Sequence, residues 1–215
     1  MAFDYKKEYK EFYMPKKTPA IIKIPKMNYI AVRGKGNPND EIGEYKKSIE
    51  ILYAIAYTLK MSYKGDHKID GFFQYVVPPL EGLWWQEGSG NSIDCNNKED
   101  MKFISIIRMP DFVSEKDFKW ALEEASLKKK QDFSKAEFLP YDEGICVQCM
   151  HIGSYDDEPE TISLMNKFAA EAGYETDITD VRFHHEIYLS DPRRCDESRL
   201  KTVIRHPVKK INSED

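Results

Sequence analysis

Two periodicities divide the chain. Short runs rich in β-branched and aromatic residues over 20–33, 72–77, 80–88, 103–110, 145–152, 183–189 and 199–208 are bounded by glycine, proline or polar clusters, as strands are. Pro25 has no N–H for a ladder, so the first run is expected as an edge strand or two short pieces. Between the runs, Ile42, Tyr45, Ile49, Leu52, Ala56 and Leu59 keep helical spacing and predict a helix over 41–61. Ser114 followed by Asp117 predicts a capped helix carrying Phe118, Trp120, Ala121, Leu122 and Ala125 towards Lys130. A third helix is expected over 160–172, stopped by Gly173. Residues 88–100 read as polar loop, 131–144 as connector and 209–215 as an unstructured tail. Residues 1–19, with Tyr5, Tyr9, Phe12 and Tyr13 among lysines, are expected to form an arm against the body.

The order of these elements repeats. About 20–110 and about 144–208 each run strand, turn, helix, strand, strand, and close on Ile107-Arg108-Met109-Pro110 and Ile204-Arg205-His206-Pro207. Two such units join their sheets, so the expected fold is α+β. It has two pseudo-symmetric βαββ repeats forming one curved antiparallel sheet, with helices on one face and a concave ligand cleft. Along 183–189, Phe183, Ile187 and Leu189 alternate with His184, Glu186 and Tyr188. With the apolar set assigned to the helices, Glu186 and Tyr188 face the cleft between the halves. A carboxylate among apolar neighbours is costly to bury unless it is paired, protonated or meets a ligand, which makes Glu186 the candidate chemical centre.

Composition narrows the partners. Of 215 residues, 41% are hydrophobic and 13% aromatic, enough for a real core, and a net charge of -5 argues against direct nucleic-acid binding. No apolar run approaches the roughly 18 residues that cross a bilayer. The charged, aromatic N-terminal stretch lacks the apolar block of a signal peptide, so a cytoplasmic protein without a membrane partner is expected. There Cys95, Cys146, Cys149 and Cys195 are expected as reduced thiols. Cys146 and Cys149 point to opposite faces of a strand and cannot share one ion, and His184-His185-Glu186 lacks the helical spacing of a metalloprotease site. Neither metal nor other cofactor is expected. What remains is an aromatic and acidic set: Trp84, Trp85, Tyr53, Tyr57, Tyr155, Tyr188 and Tyr141 with Glu186. Such a set suits flat, lipophilic or cationic ligands through stacking and cation–π contact. Trp84 and Trp85 project to opposite sides of an extended chain, so one of the two is expected to line the cleft.

The βαββ repeat, the His151-Ile152-Gly153-Ser154-Tyr155 turn, the Glu186 strand and the Gly82-Leu83-Trp84-Trp85 segment together resemble the GyrI-like small-molecule-binding domain of the SOUL/GyrI superfamily. Asp191-Pro192-Arg193-Arg194 and Lys201-Thr202-Val203-Ile204-Arg205 are similar to its standalone bacterial form, and the likeness spans about 20–208. The resemblance implies an acidic residue in an aromatic pocket at Glu186, as in multidrug-sensing regulators that bind lipophilic cations. Unlike those regulators, the chain shows no helix-turn-helix segment before residue 20. The resemblance also implies similarity to hydrolases that open the cyclopropane of cyclopropanoid DNA-alkylating antibiotics, giving detoxification and antibiotic resistance. On that reading Glu186 is the base that orients water. Tyr155 is the hydrogen-bond donor, with Tyr188 and Tyr141 as substitutes, and Trp84 or Trp85 stacks on the substrate. The same residues allow an alternative, a non-catalytic protein that sequesters lipophilic or cationic small molecules. A protein partner follows from the family name alone.

Overall fold

The computed structural model describes residues 2–86 and 97–211. Two single-turn helices, α1 (Tyr5–Glu8) and α2 (Lys10–Tyr13), precede two strands parted at Pro25, β1 (Ala20–Ile24) and β2 (Met27–Lys35). The helix α3 (Glu44–Met61) and strands β3 (Leu80–Trp85) and β4 (Lys102–Arg108) complete the first repeat. A linking pair follows, α4 (Glu115–Lys129) and β5 (Ala136–Tyr141). The second repeat holds β6 (Gly144–Ile152), α5 (Glu158–Glu171), the short β7 (Tyr174–Thr176), β8 (His184–Tyr188) and β9 (Lys201–Lys210). Helix α4 starts on the expected capping box, Ser114 with Asp117. Helix α3 starts later than the apolar spacing suggests, because Asp40 makes a turn of its own. Its carbonyl accepts from the Gly43 N–H and its carboxylate from the Ile42 N–H at 3.0 Å.

The strands pair in the order β1-β6-β9-β8-β3-β4-β2-β5, with β7 beside β9. The run β6-β9-β8 mirrors β2-β4-β3, and β8 meets β3 at the centre. Ile107 opposes Leu80 as Ile204 opposes Glu186, so Leu80 holds in the first repeat the place that Glu186 holds in the second. The repeat is therefore a symmetry of backbone, and the carboxylate belongs to one half.

Directly paired residues share a face of the sheet. Ile30, Val32 and Ile107 pack under α3 and α4, while Val147, Cys149, Ile204 and Val208 pack under α5. Both helical layers cover the same face, and the central β3–β8 pair lies between them. Glu186 pairs with Ile204 on one side and Gly82 on the other, so it projects to the helical side, into the gap between α3 and α5. This reverses one expectation. Ile187 and Leu189 do not meet α3, α4 or α5 but pack with Tyr5, Tyr13, Tyr75 and Val203, and Phe183 meets Trp85. The arm supplies the apolar cover that the expectation had assigned to the helices.

The arm also roofs a layer of buried charge. His185 is 0% exposed and lies between two carboxylates, with Nδ1 3.0 Å from Glu143 and Nε2 2.9 Å from Glu81. Arg205 donates to Glu143 at 3.0 Å, to Gln148 and to the Phe12 carbonyl, so the arm is tied to the network it covers. Arg108, the first-repeat counterpart of Arg205, lies over the rings of Tyr5 and Tyr9 at 4.9 and 4.7 Å.

Three further elements depart from the pattern. Residues 72–77 form no strand and make a single bridge, Phe3 to Tyr75, because Phe72 and Tyr75 pack their rings on Phe112 instead of joining the sheet. Part of the expected connector is β5, which pairs with β2 at the edge of the sheet. Pro140, which reads as a strand breaker, is tolerated there. The expected tail continues β9 as far as Lys210. The tail after Ile211, most of the loop over 88–100 and Cys95 lie outside the described residues.

Candidate functional site

Glu186 sits at the centre of the β3–β8 pair and is 9% exposed. Its Oε1 is 2.9 Å from His184 Nε2, two residues back on the same face of β8. Burial, then the neighbouring Glu186 and Tyr45 of α3, push the hydroxyl of Tyr188, two residues on, well above its ordinary pKa. The Trp84 indole N–H donates to the same hydroxyl at 2.8 Å. A phenol has one donor and two acceptor sites. With Trp84 donating to it, the Tyr188 oxygen accepts one bond, and its own O–H faces Glu186 and Tyr45.

Gly82 makes this arrangement possible. It lies opposite Glu186 on β3, and a Cβ there would stand 2.5 Å from Trp84 Nε1 and 3.0 Å from the Tyr188 oxygen. Only a residue without a side chain lets the indole lie across the strand to reach Tyr188. The Tyr45 ring packs at 5.2 Å from Trp84 and edge-on to Phe103, closing the wall on the α3 side. On the α5 side Tyr155 meets Tyr188 edge-to-face at 6.0 Å between centroids. Burial, then the charge of Glu186, pushes the Tyr155 hydroxyl above its ordinary pKa, so it stays protonated and able to donate. Burial does the same for Tyr45.

The structure thus brings together four of the sequence candidates: Glu186, Tyr155, Tyr188 and Trp84. Of the tryptophan pair, Trp84 shares the face of Glu186. Trp85 points to the arm side and packs on Phe183 at 4.9 Å, because neighbouring strand residues face opposite ways. Tyr141 lies with Trp85 in that opposite-face cluster, apart from Glu186. Tyr53 and Tyr57 line a groove of about 1220 Å³ between α3 and α4, with Trp120 and Phe133, away from Glu186. The helical row that suggested them also carries Tyr45, two turns before Tyr53, and it is Tyr45 that reaches the site.

Three site residues had no functional reading in the sequence: Tyr45, His184 and Glu158. Glu158, His184 and Glu186 are buried and offer three donor atoms within 4.8 Å of one another, a set able to hold a metal ion. His184 Nε2 is already hydrogen-bonded to Glu186, so an ion would have to displace that bond. The signal for His184 was its alternation with Glu186; the metal motifs tested against it ask for helical spacing instead.

No curated protein matches the chain. An uncharacterized conserved protein from Listeria innocua is 45% identical, superposes with a TM-score of 0.90, and is matched over 96% of this chain and 100% of its own. Two structures of a hydrolase from Listeria innocua are each 43% identical, with TM-scores of 0.87 and 0.88. They cover 96% and 97% of this chain and 100% of their own. The model of the GyrI-like small molecule binding domain matches residues 17–209, and the chain belongs to the GyrI-like family.

Proposed function

We propose that the protein is a hydrolase that adds water to the cyclopropane of flat, lipophilic cyclopropanoid DNA-alkylating compounds and so detoxifies them in the cytoplasm. The observation that carries this reading is Glu186, a buried carboxylate hydrogen-bonded to His184 on the face of the sheet that carries Trp84 and Tyr188, whose rings meet those of Tyr45 and Tyr155. The two hydrolase structures from Listeria innocua support a hydrolytic activity. In a spiro-cyclopropyl dienone, a hydrogen bond to the carbonyl draws electrons out of the strained ring. Water attacks the cyclopropane carbon, the ring C–C bond breaks, and its electron pair restores the aromatic ring as a phenol. Glu186 accepts the proton from the attacking water, and Tyr155, whose hydroxyl stays protonated, is the donor at the carbonyl, with Tyr188 as its substitute. Aromatisation supplies much of the driving force, so the site has little to add beyond stacking, a positioned water and one donor.

A second reading has an observation of its own. Glu158 and Glu186 are both buried beside these rings, and paired acidic groups with aromatic walls suit a lipophilic cation. Incubation with a cyclopropanoid in ¹⁸O-labelled water, followed by mass spectrometry, separates the two. Catalytic formation of a labelled water adduct is the expected result. Protection that saturates at one compound per protein, with no labelled product, would leave sequestration as the function.

A further inference from the structure

The reaction above leaves two buried histidines without a task. His184 Nδ1 and His206 Nε2 stand 2.7 Å apart, on adjacent strands of the helical face. One hydrogen has to lie between these two nitrogens. His206 is 1% exposed, and its Nδ1 has no hydrogen-bond partner.

The hydrogen can be placed by elimination. An ionised carboxylate only accepts, so His184 must donate Nε2–H to Glu186. A neutral His184 then has a bare Nδ1, which needs a donor, and His206 Nε2–H is the group in place. This leaves the His206 Nδ1 bare, in agreement with its empty surroundings. The opposite assignment would bury an N–H on His206 with nothing to receive it, which native interiors avoid.

We propose that His206 and His184 act as a tautomer lock that positions Glu186. His206 Nε2–H donates to His184 Nδ1, which holds His184 in the form whose Nε2–H pins Oε1 of the carboxylate. Glu158 from α5 is the other buried acidic group beside Glu186 and His184, and the hydrogen-bond partner of the His184 Nδ1 is His206. His184 and His206 are thus positioning residues that act through Glu186, and the inference rests on the reading of Glu186 as the water-orienting base.

Two measurements on the full-length protein test it. Long-range ¹H–¹⁵N NMR of histidine-labelled protein at pH 7, assigned with His184→Phe and His206→Phe, is expected to show both rings as neutral Nε2–H tautomers. An Nδ1–H tautomer or an imidazolium at His184 would overturn the lock. In turnover of a cyclopropanoid, His184→Phe is expected to lower kcat about 100-fold and His206→Phe about tenfold, with KM within about twofold. His184→Gln keeps an N–H near the Nε2 position and is expected to recover most of the loss. A rise in KM at constant kcat, or no recovery with Gln, would refute positioning. If the wild-type protein shows no turnover, the hydrolase reading falls, while the NMR still decides the tautomers. The same variants are then compared for affinity towards a lipophilic cation and its neutral analogue. A cation-selective loss in His184→Phe sustains the lock, and equal affinity for both overturns it.

Discussion

His184 and His185 are adjacent in sequence, each is hydrogen-bonded to glutamate, and both are buried, yet they belong to different kinds of structure. His185 faces the arm and lies between Glu81 and Glu143, while Arg205 donates to Glu143 as well. Burial alone would lower the His185 pKa, but Glu143 and Glu81 outweigh it and raise it to about 9. Burial would raise that of Glu143, and His185 with Arg205 bring it down to about 2. Each charge is answered by an opposite one, so this layer holds the arm to the sheet. His184 faces the helices and shares its nitrogens between one carboxylate and a neutral imidazole. Glu186 is met by the His184 ring and by aromatic residues rather than by an opposite charge. The contrast teaches that a buried ionisable residue signals chemistry when its charge is left unanswered, and architecture when opposite charges answer it.

The contrast can be broken in order of expected effect. Glu143→Gln leaves His185 and Arg205 facing a neutral side chain. It should lower stability by about 3–5 kcal/mol and the melting temperature by about 10 °C, with turnover per folded molecule within about twofold. An unchanged melting temperature in calorimetry would show that the arm-side charges do not hold the fold.

The pH dependence of stability comes next. His185 has its folded pKa raised from 6.5 to about 9, so its contribution is full below 6.5 and is lost as pH rises through 9. Glu143, lowered from 4.5 to about 2, contributes above 4.5 and loses its contribution as pH falls through 2. Urea titrations at pH 6 and pH 10 should differ by roughly 3 kcal/mol, and His185→Gln should flatten that difference. Equal slopes with pH in the two proteins would contradict the assignment.

On the site side, Gly82→Ala drives a methyl into the Trp84–Tyr188 hydrogen bond. It should cost about 1–3 kcal/mol of stability and lower turnover at least tenfold. Normal turnover would show that Trp84 need not lie across the strand. The smallest expected effect is that of Trp85→Phe, which should leave affinity for a flat ligand within about twofold, whereas Trp84→Phe should weaken it. Fluorescence titration with any flat aromatic compound decides between them.

Much of this was legible in the sequence, and what was not has physical causes. The repeated Ile-Arg-x-Pro ending and the helical spacing of Ile42 to Leu59 led to the sheet and its helices. Alternation along β8 grouped His184, Glu186 and Tyr188 correctly. Alternation cannot say which set meets the helices, because either face of a sheet can be covered. Here the aromatic arm covers the second face, and Ile187 belongs to it. Trp84 and Trp85 differ only in parity, which becomes meaningful once Trp84 is registered against His184 across the β3–β8 pair. His206, 22 residues from His184, joins the site through the pairing of β8 with β9, and no local motif announces such a partner.

The most direct test of Glu186 as the reactive group is a comparison of wild-type protein and Glu186→Gln with one cyclopropanoid, following both ligand binding and the water adduct by mass spectrometry. The glutamine variant should bind within about threefold of wild type and form adduct at least about 100-fold more slowly. Adduct formation at the wild-type rate would contradict that role for Glu186.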